Sequence, residues 1–283
     1  MKKFVLLFIL VLGSACVFSQ PYLDIARVSY AYVPEKGLND KIDPLLSNFY
    51  SVSLLFPIEL KKGGDAILLN PFFEHSQGTI GDHHFHVISQ GLMTGFLKKS
   101  ANKKWSLLTA FFLRRNKEAE KKVVGPWQYG GVILGSWIKG SNFDIKLGLY
   151  YNREYFRNMF MPLVGIDWKI NDKNTLFGIL PGSLVFEHKL NKTFFTGFTF
   201  HGLTSAYRLN ATDFNYLRVN DNQAGLFLDT YIAPKLVFTT EAGYTAFRKY
   251  RFGFRSDTRS SYTDLKNDNF YIKASLAFRI QTR

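Results

Sequence analysis

Cysteine is almost missing from this chain: a single residue, Cys16, among 283 excludes an intrachain disulfide and any cysteine-based zinc site. Long hydrophobic runs are missing too. Beyond the N-terminus the apolar stretches, such as Ala110 to Leu113 and Val132 to Leu134, break at glycine or charge, well short of the ~18 residues of a membrane helix. There is no Pro/Ser linker, no low-complexity tract and no internal repeat beyond a hairpin rhythm, so nothing divides the chain. One domain is expected over residues 20–283, with no plug ahead of the first strand. Acidic residues are in deficit, 22 Asp+Glu against 36 Lys+Arg, for a net charge of +14.

What is present is apolar and aromatic. Hydrophobic residues make up 46% of the chain, with 28 Phe and 15 Tyr. That content excludes a disordered polar chain. The basic balance, taken alone, could point to nucleic acid. No nucleic-acid motif accompanies it, and the N-terminus argues for export.

Residues 1–19 read as a secretory signal. Lys2 and Lys3 form the positive region, and Phe4 to Leu12 is an unbroken apolar run, too short to span a bilayer as a helix. Val17-Phe18-Ser19 places small or aliphatic residues for a cut between Ser19 and Gln20. The rival is a lipoprotein cut before Cys16, where Gly13 stands at the position that prefers leucine. Processing at Ser19 leaves 34 basic and 22 acidic residues, a charge of +12.

The dominant period in the rest of the chain is two. Phe143, Ile145, Leu147, Leu149 and Tyr151 alternate with Asp144, Lys146, Gly148, Tyr150 and Asn152. Leu236 to Ala246 and Phe270 to Ile280 repeat the pattern. Side chains on a strand point alternately to opposite faces, so each segment has one apolar and one mostly polar face. These runs last ten residues or more, the length of a tilted membrane strand and longer than the usual ~5–6 residues of a soluble one. A soluble secreted β-sandwich would have shorter strands.

Fourteen strands are expected, near 22–33, 47–60, 66–74, 84–95, 104–115, 127–138, 143–152, 160–170, 174–181, 183–190, 193–207, 216–231, 235–249 and 269–281, with twelve as the alternative. Short turns such as Lys61–Asp65, Lys139–Asn142, Asn171–Asn174 and Ala233–Lys235 alternate with longer connections, including 34–47, 75–83, 116–126, 209–215 and 251–268. That asymmetry is the pattern of a transmembrane antiparallel up-and-down β-barrel, with its short turns in the periplasm. Pro57 and Pro71 fall inside strands, where a missing N–H breaks the ladder. A local bulge is the expected repair.

The closing stretch, with Lys273, Ser275, Phe278 and Ile280, resembles the C-terminal signal read by the barrel-insertion machinery of Gram-negative outer membranes. Ser275 stands where glycine is usual, and the chain runs on to Gln281-Thr282-Arg283. Segments such as Phe177 to Phe186 and Ala242 to Arg248 resemble an uncharacterised family of predicted outer-membrane β-barrel proteins. The resemblance implies an architecture and a location in the cell outer membrane, and no activity.

No catalytic, cofactor-binding or metal site is assigned. His75, His83, His84 and His86 lie close in sequence with Glu74 and Asp82 beside them, but no third ligand has a fixed spacing. His86 and Ser89 fall on opposite faces of a strand. His201 and Ser205 share a face, too far apart along an extended strand to bond directly. The charge pattern says more. Lysines cluster at the short turns. Arginines cluster near the other rim, and Arg114, Arg115, Arg153, Arg157, Arg248, Arg251, Arg255 and Arg259 are candidate contacts for the phosphates of outer-membrane lipids and lipopolysaccharide, which a guanidinium grips bidentately. Asp144, Lys146, Glu241, Lys273 and Arg279 are expected on the inner face. Fourteen strands enclose more than their side chains are expected to fill. The leading functional class is therefore a passive pore for small polar solutes, with positive charge weakly favouring anions. A non-transporting structural or surface barrel is the alternative, and a lipid-modifying barrel enzyme stands behind both.

Overall fold

A computed structural model describes residues 21–34, 45–60, 64–80, 83–119, 127–154, 158–209, 215–253, 263–266 and 268–282. The expected signal segment and Ser19–Gln20 cut, together with Arg157, Arg255 and Arg259, lie outside the described residues. Within them the chain is all β: β1 (Tyr22–Tyr32), β2 (Leu45–Leu54), β3 (Phe56–Glu59), β4 (Ala66–Ile80), β5 (His83–Lys99), β6 (Trp105–Glu118), β7 (Trp127–Lys139), β8 (Phe143–Arg153), β9 (Asn158–Lys169), β10 (Asn174–Leu180), β11 (Ser183–Lys189), β12 (Phe194–Arg208), β13 (Tyr216–Ala233), β14 (Leu236–Gly253), β15 (Thr263–Lys266) and β16 (Phe270–Gln281). Each strand pairs antiparallel with the next. β16 pairs with both β14 and β1, which closes the ring. β2 and β3 are two halves of one wall strand, and β15 is a short addition beside the end of β14. The wall therefore has the fourteen strands that the alternation predicts.

The break between β2 and β3 is the answer to Pro71. Ser53 pairs with Phe72 and, three residues on, Phe56 pairs with Leu69, so the register is unchanged across the gap. Opposite the proline, which has no N–H to give, the Asn70 side-chain amide donates to the Leu54 carbonyl at 2.6 Å. The expected bulge is not there; a side chain replaces the missing rung. The expected loop at 75–83 is also corrected. β4 continues to Ile80 and β5 begins at His83, because the polar stretch from Glu74 to Thr79 is paired with β2 on one side and β5 on the other.

The two faces of the wall differ as a bilayer requires. Outward positions are apolar and exposed: Leu147 and Leu149 62%, Leu226 69% and Ile133 58%. Aromatic rings border this band at both ends. Trp105 stacks on Trp137 and Phe143 meets Trp168 at the short-turn end. At the other end a ladder of Tyr30, Tyr50, His75 and His86 crosses four strands, and Arg115 and Arg153 lie over the rings of Trp127 and Tyr129. Trp127 and Trp137 both face outward on β7. Ten residues at ~3.3 Å rise and ~40° tilt separate them by about 25 Å along the barrel axis, the height of an outer-membrane apolar band.

The lumen is less round than a fourteen-strand ring allows. At the outer end the sheet corner made by β12, β13 and β14 bends inward. A one-residue bulge starts the bend: Asn220 pairs with Lys249 but Asn222 pairs with Ala246, and Phe247 takes a φ of 55°. The bulge also reverses the facing of β14. Below it Val237, Thr239 and Glu241 are the buried inward residues; above it Arg248, Tyr250 and Phe252 are. Tyr216 to Val219 are buried on both faces of β13. One face of this corner packs with Phe85 and Val87 of β5 in an apolar cluster completed by Tyr207, Leu217, Val219, Tyr250 and Phe252.

Candidate functional site: the occluded lumen

Alternation along each strand sends its polar residues inside, where distance from water forces them to pair. Lys146 on β8 binds Asp167 on β9 at 2.6 Å, and Lys273 on β16 binds Glu241 on β14 at 3.3 Å. Arg279 on β16 is 1% exposed and holds two carboxylates, Asp24 of β1 at 2.7 Å and Asp229 of β13. Asp24 also receives Arg27, and Asp229 accepts from the Thr239 hydroxyl. Further out Arg248 faces Asp221 at 3.5 Å and Arg218 faces Glu154 at 3.6 Å. The five inner-face residues expected from sequence, Asp144, Lys146, Glu241, Lys273 and Arg279, all stand there. Their pairing required the fold.

Two contacts cross the lumen. Near the short-turn end Tyr22 of β1 meets the ring of Phe177 on β10 edge-on, with centroids 5.4 Å apart, although the two strands stand six places apart around the ring. Near the outer end β12 reaches β6, again six places away. Arg208 pairs with Lys117 in the one parallel bridge among the described residues, and the Ala206 carbonyl accepts from the side-chain amides of Asn116 at 3.1 Å and Gln128 at 2.8 Å. This clasp joins three wall strands through a single carbonyl. Sequence reasoning missed Asn116 and Gln128, since nothing local distinguishes an amide that crosses a lumen from one that faces water.

The wall itself is interrupted beside the clasp. β10 and β11 have seven residues each and meet at the cis Leu180–Pro181 peptide and Gly182. At the same rise and tilt this hairpin climbs only ~18 Å of a ~25 Å band. The β9–β10 ladder ends at Val164–Leu180, and the β11–β12 ladder ends at Ser183–His201, capped by the Gly202 N–H donating to the Gly182 carbonyl at 2.9 Å. A side chain at Gly202 would put its Cβ 2.2 Å from the Pro181 carbonyl oxygen, so only glycine lets the strand seal the hairpin tip. Beyond the tip, and among the described residues, Asn158 to Leu163 of β9 and Leu203 to Ala206 of β12 pair only on their far sides.

The rim arginines divide. Arg115 and Arg153 are on the outer face, over aromatic rings of the outer belt. Arg251 lies on β14 above the bulge. Arg114 and Arg248 are corrected. Arg114 follows Phe112 on the inner face of β6, and Arg248 is fully buried because the bulge at Phe247 turns it into the lumen. Neither reaches the surface where lipid phosphates lie. Of the histidines, His75 and His86 stack in the outer aromatic ladder, and His84 bonds Thr79 at 2.9 Å. Among the described residues no group of three or more metal-ligating side chains converges. His86 and Ser89 do face opposite ways, Ser89 buried inside. His201 bonds Thr199, at 2.8 Å, and not Ser205. The four positions of the insertion pattern lie on the closing strand β16, with Lys273 and Ser275 inward and Phe278 and Ile280 outward.

A closed, antiparallel, all-β wall with an apolar outer band between aromatic belts and a paired polar interior defines an outer-membrane-type β-barrel. Over residues 91–282, more than half its length, the chain matches the domain of unknown function DUF6268, and it belongs to that family. Its fold is similar to the COG4313 outer membrane channel from Pseudomonas putida F1, at 8% identity and a TM-score of 0.50, covering 95% of this chain and 98% of that one. More distant likenesses include the NanC porin, at 9% identity and a TM-score of 0.38 over 90% of this chain and 100% of that one. A TodX monoaromatic hydrocarbon channel variant stands at 9% identity and 0.39 over 92% and 89%. No curated protein matches the sequence.

Proposed function

We propose that this protein is a passive channel of the outer membrane for small solutes carrying polar groups, occluded in the conformation described. The carrying observation is the lumen: it is lined by ion-paired and hydrogen-bonded side chains along its length, and its outer closure is a corner of the wall held to β6 and β7 through the Ala206 carbonyl. A barrel serving only as a scaffold has no need of buried charge, which is costly to desolvate. Narrowing at two levels makes this a gated channel and not the wide diffusion pore that strand number alone suggests. The fold's likeness to the COG4313 channel supports the same class.

The channel reading carries two smaller ones. The half-buried Arg115 and the exposed Arg153, both at the outer aromatic belt, grip lipid or lipopolysaccharide phosphates, and the outward Phe278 and Ile280 of the closing strand present the insertion signal. Planar-bilayer recordings of the purified protein test the main proposal. Discrete conductance steps are expected, and their absence from both the native protein and clasp variants removes it.

A further inference from the structure

Among the described residues, Arg114 on the lumen wall makes no hydrogen bond at two of its guanidinium nitrogens. On Arg114, Nε and Nη2 are buried, and no hydrogen-bond acceptor among the described residues reaches either. Arg27, Arg218, Arg248 and Arg279 each stand within 4 Å of a carboxylate, whereas Arg114 has the buried Glu74 carboxylate as an electrostatic neighbour without a hydrogen bond to Nε or Nη2. A buried guanidinium hydrogen left without an acceptor forfeits a charge-assisted bond, among the strong ones in proteins. The Arg114 guanidinium instead lies over the ring of Phe112, 5.7 Å from its centroid, and Phe112 stacks on Tyr150 at 5.6 Å and 15°. Phe112 can lean across β7 because Gly130 lies beneath it; a Cβ there would come within 2.4 Å of the ring. The result is an aromatic shelf on the lumen wall with two unbonded guanidinium nitrogens at one end.

The other end of the shelf meets the gap in the wall. Tyr150 pairs with Met161 on β9, whose near edge has no strand partner at that height among the described residues. Across the gap Leu203 lies on the lumen side of β12, like Thr199 and His201, yet it is 52% exposed. The gap opens within the height of the apolar band, so the medium outside it is hydrocarbon.

The geometry points to a binding site for a single-chain anionic amphiphile of the fatty-carboxylate kind. Its head accepts from Arg114, and its chain runs over Phe112 and Tyr150 and out between β9 and β12 into the outer leaflet. An acyl chain in the gap covers the apolar faces of Met161 and Leu203, and the carboxylate supplies an acceptor for the two unbonded nitrogens of Arg114. This deepens the channel reading by naming a solute class, and it is tested by binding alone.

In nanodiscs holding the full chain, a dansyl-labelled undecanoic acid serves as the fluorescent probe, with dodecanoate, dodecanol and acetate as competitors. Dodecanoate is expected to displace the probe, and Arg114→Gln to weaken dodecanoate at least tenfold while leaving dodecanol unchanged. Equal dodecanoate affinity in native and variant protein, or acetate competing as well as dodecanoate, overturns the site. A second arm does not depend on Arg114: a bulky maleimide on Leu203→Cys should reduce probe binding at least tenfold, whereas methylthiolation there, or the same maleimide on the outward Leu226→Cys, should leave it intact. Full binding despite the bulky adduct at position 203 overturns the lateral route. Dodecanoate binding without conductance removes the channel reading and keeps the site; conductance without dodecanoate binding does the reverse.

Discussion

Asn116 of β6 and Ala206 of β12 lie 90 residues apart in sequence and six strands apart around the barrel, yet the Asn116 side-chain amide donates to the Ala206 carbonyl at 3.1 Å inside the lumen. Gln128 of β7 donates to the same oxygen at 2.8 Å. A wall strand normally finds its partners only at its two flanks. Here β12 finds a third partner across the lumen, so the outer closure depends on a few polar contacts set against the elasticity of a bent sheet corner.

That dependence predicts the behaviour of the clasp. Replacing Asn116 and Gln128 together with alanine leaves the buried Ala206 carbonyl without either donor, a loss of about 1–3 kcal/mol for an unsatisfied buried acceptor. The double variant should open more often or for longer in planar bilayers than the native protein. Its heat-modifiable migration on gels should be retained, because none of the antiparallel ladders is touched.

The short-turn end makes the opposite prediction. Arg279 is enclosed by Asp24, Asp229 and the ring of Tyr22, whose centroid is 3.6 Å from the guanidinium carbon. Arg279→Met strands the buried Asp229 and leaves Asp24 with Arg27 alone, and removing one member of a buried ion pair typically costs about 3–5 kcal/mol. Unfolding in guanidinium chloride should show a clear fall in midpoint. The double exchange Arg279→Met with Asp229→Leu should recover part of it, since the neutral pair leaves one fewer stranded carboxylate.

The orientation of the wall can be tested at adjacent residues. Leu147 and Leu149 face the membrane at 62% exposure, while Lys146 is buried against Asp167. Leu149→Arg should lower stability by about 2–4 kcal/mol, the cost of a cation near the midplane of the apolar band. Lys146→Met with Asp167→Leu should be far milder, since it exchanges a buried ion pair for apolar groups of similar size. Equal effects at both sites would mean that the barrel is turned inside out.

Gly202 provides a local test of the wall interruption. With the Pro181 carbonyl oxygen 2.2 Å from where its Cβ would stand, Gly202→Val should push β12 away from the hairpin tip and cost about 1–3 kcal/mol. Hydrogen exchange should rise at Gly182 and at Leu184 to Phe186 and stay unchanged on β7 and β8.

Much of the barrel was legible in the residues. The spans near 127–138, 143–152 and 216–231 match β7, β8 and β13 closely because one face meets hydrocarbon and the other meets polar partners, and that contrast is written every second residue. The inner-face charges at Asp144, Lys146, Glu241, Lys273 and Arg279 follow from the same parity. Parity also misled. Arg248 is in phase with the outward positions Leu236 to Ala246 and would face outward on parity alone, and the extra residue at Phe247 turns it inward. Arg114 and Arg115 are neighbours of one type, and a tally of rim charges cannot tell that one points in and the other out.

What the sequence determined by itself was an all-β wall of long alternating strands, since alternation, turn chemistry and strand length are properties of neighbouring residues. The tertiary structure alone decided where that wall bends, which strands touch across the lumen, and how high the β10–β11 hairpin climbs. Those outcomes depend on register between distant strands and on which buried polar groups find one another. Ala206 has no side-chain chemistry to mark it, and its carbonyl became the hub of the outer closure only because a bulge forty-one residues later, at Phe247, tipped the sheet corner inward.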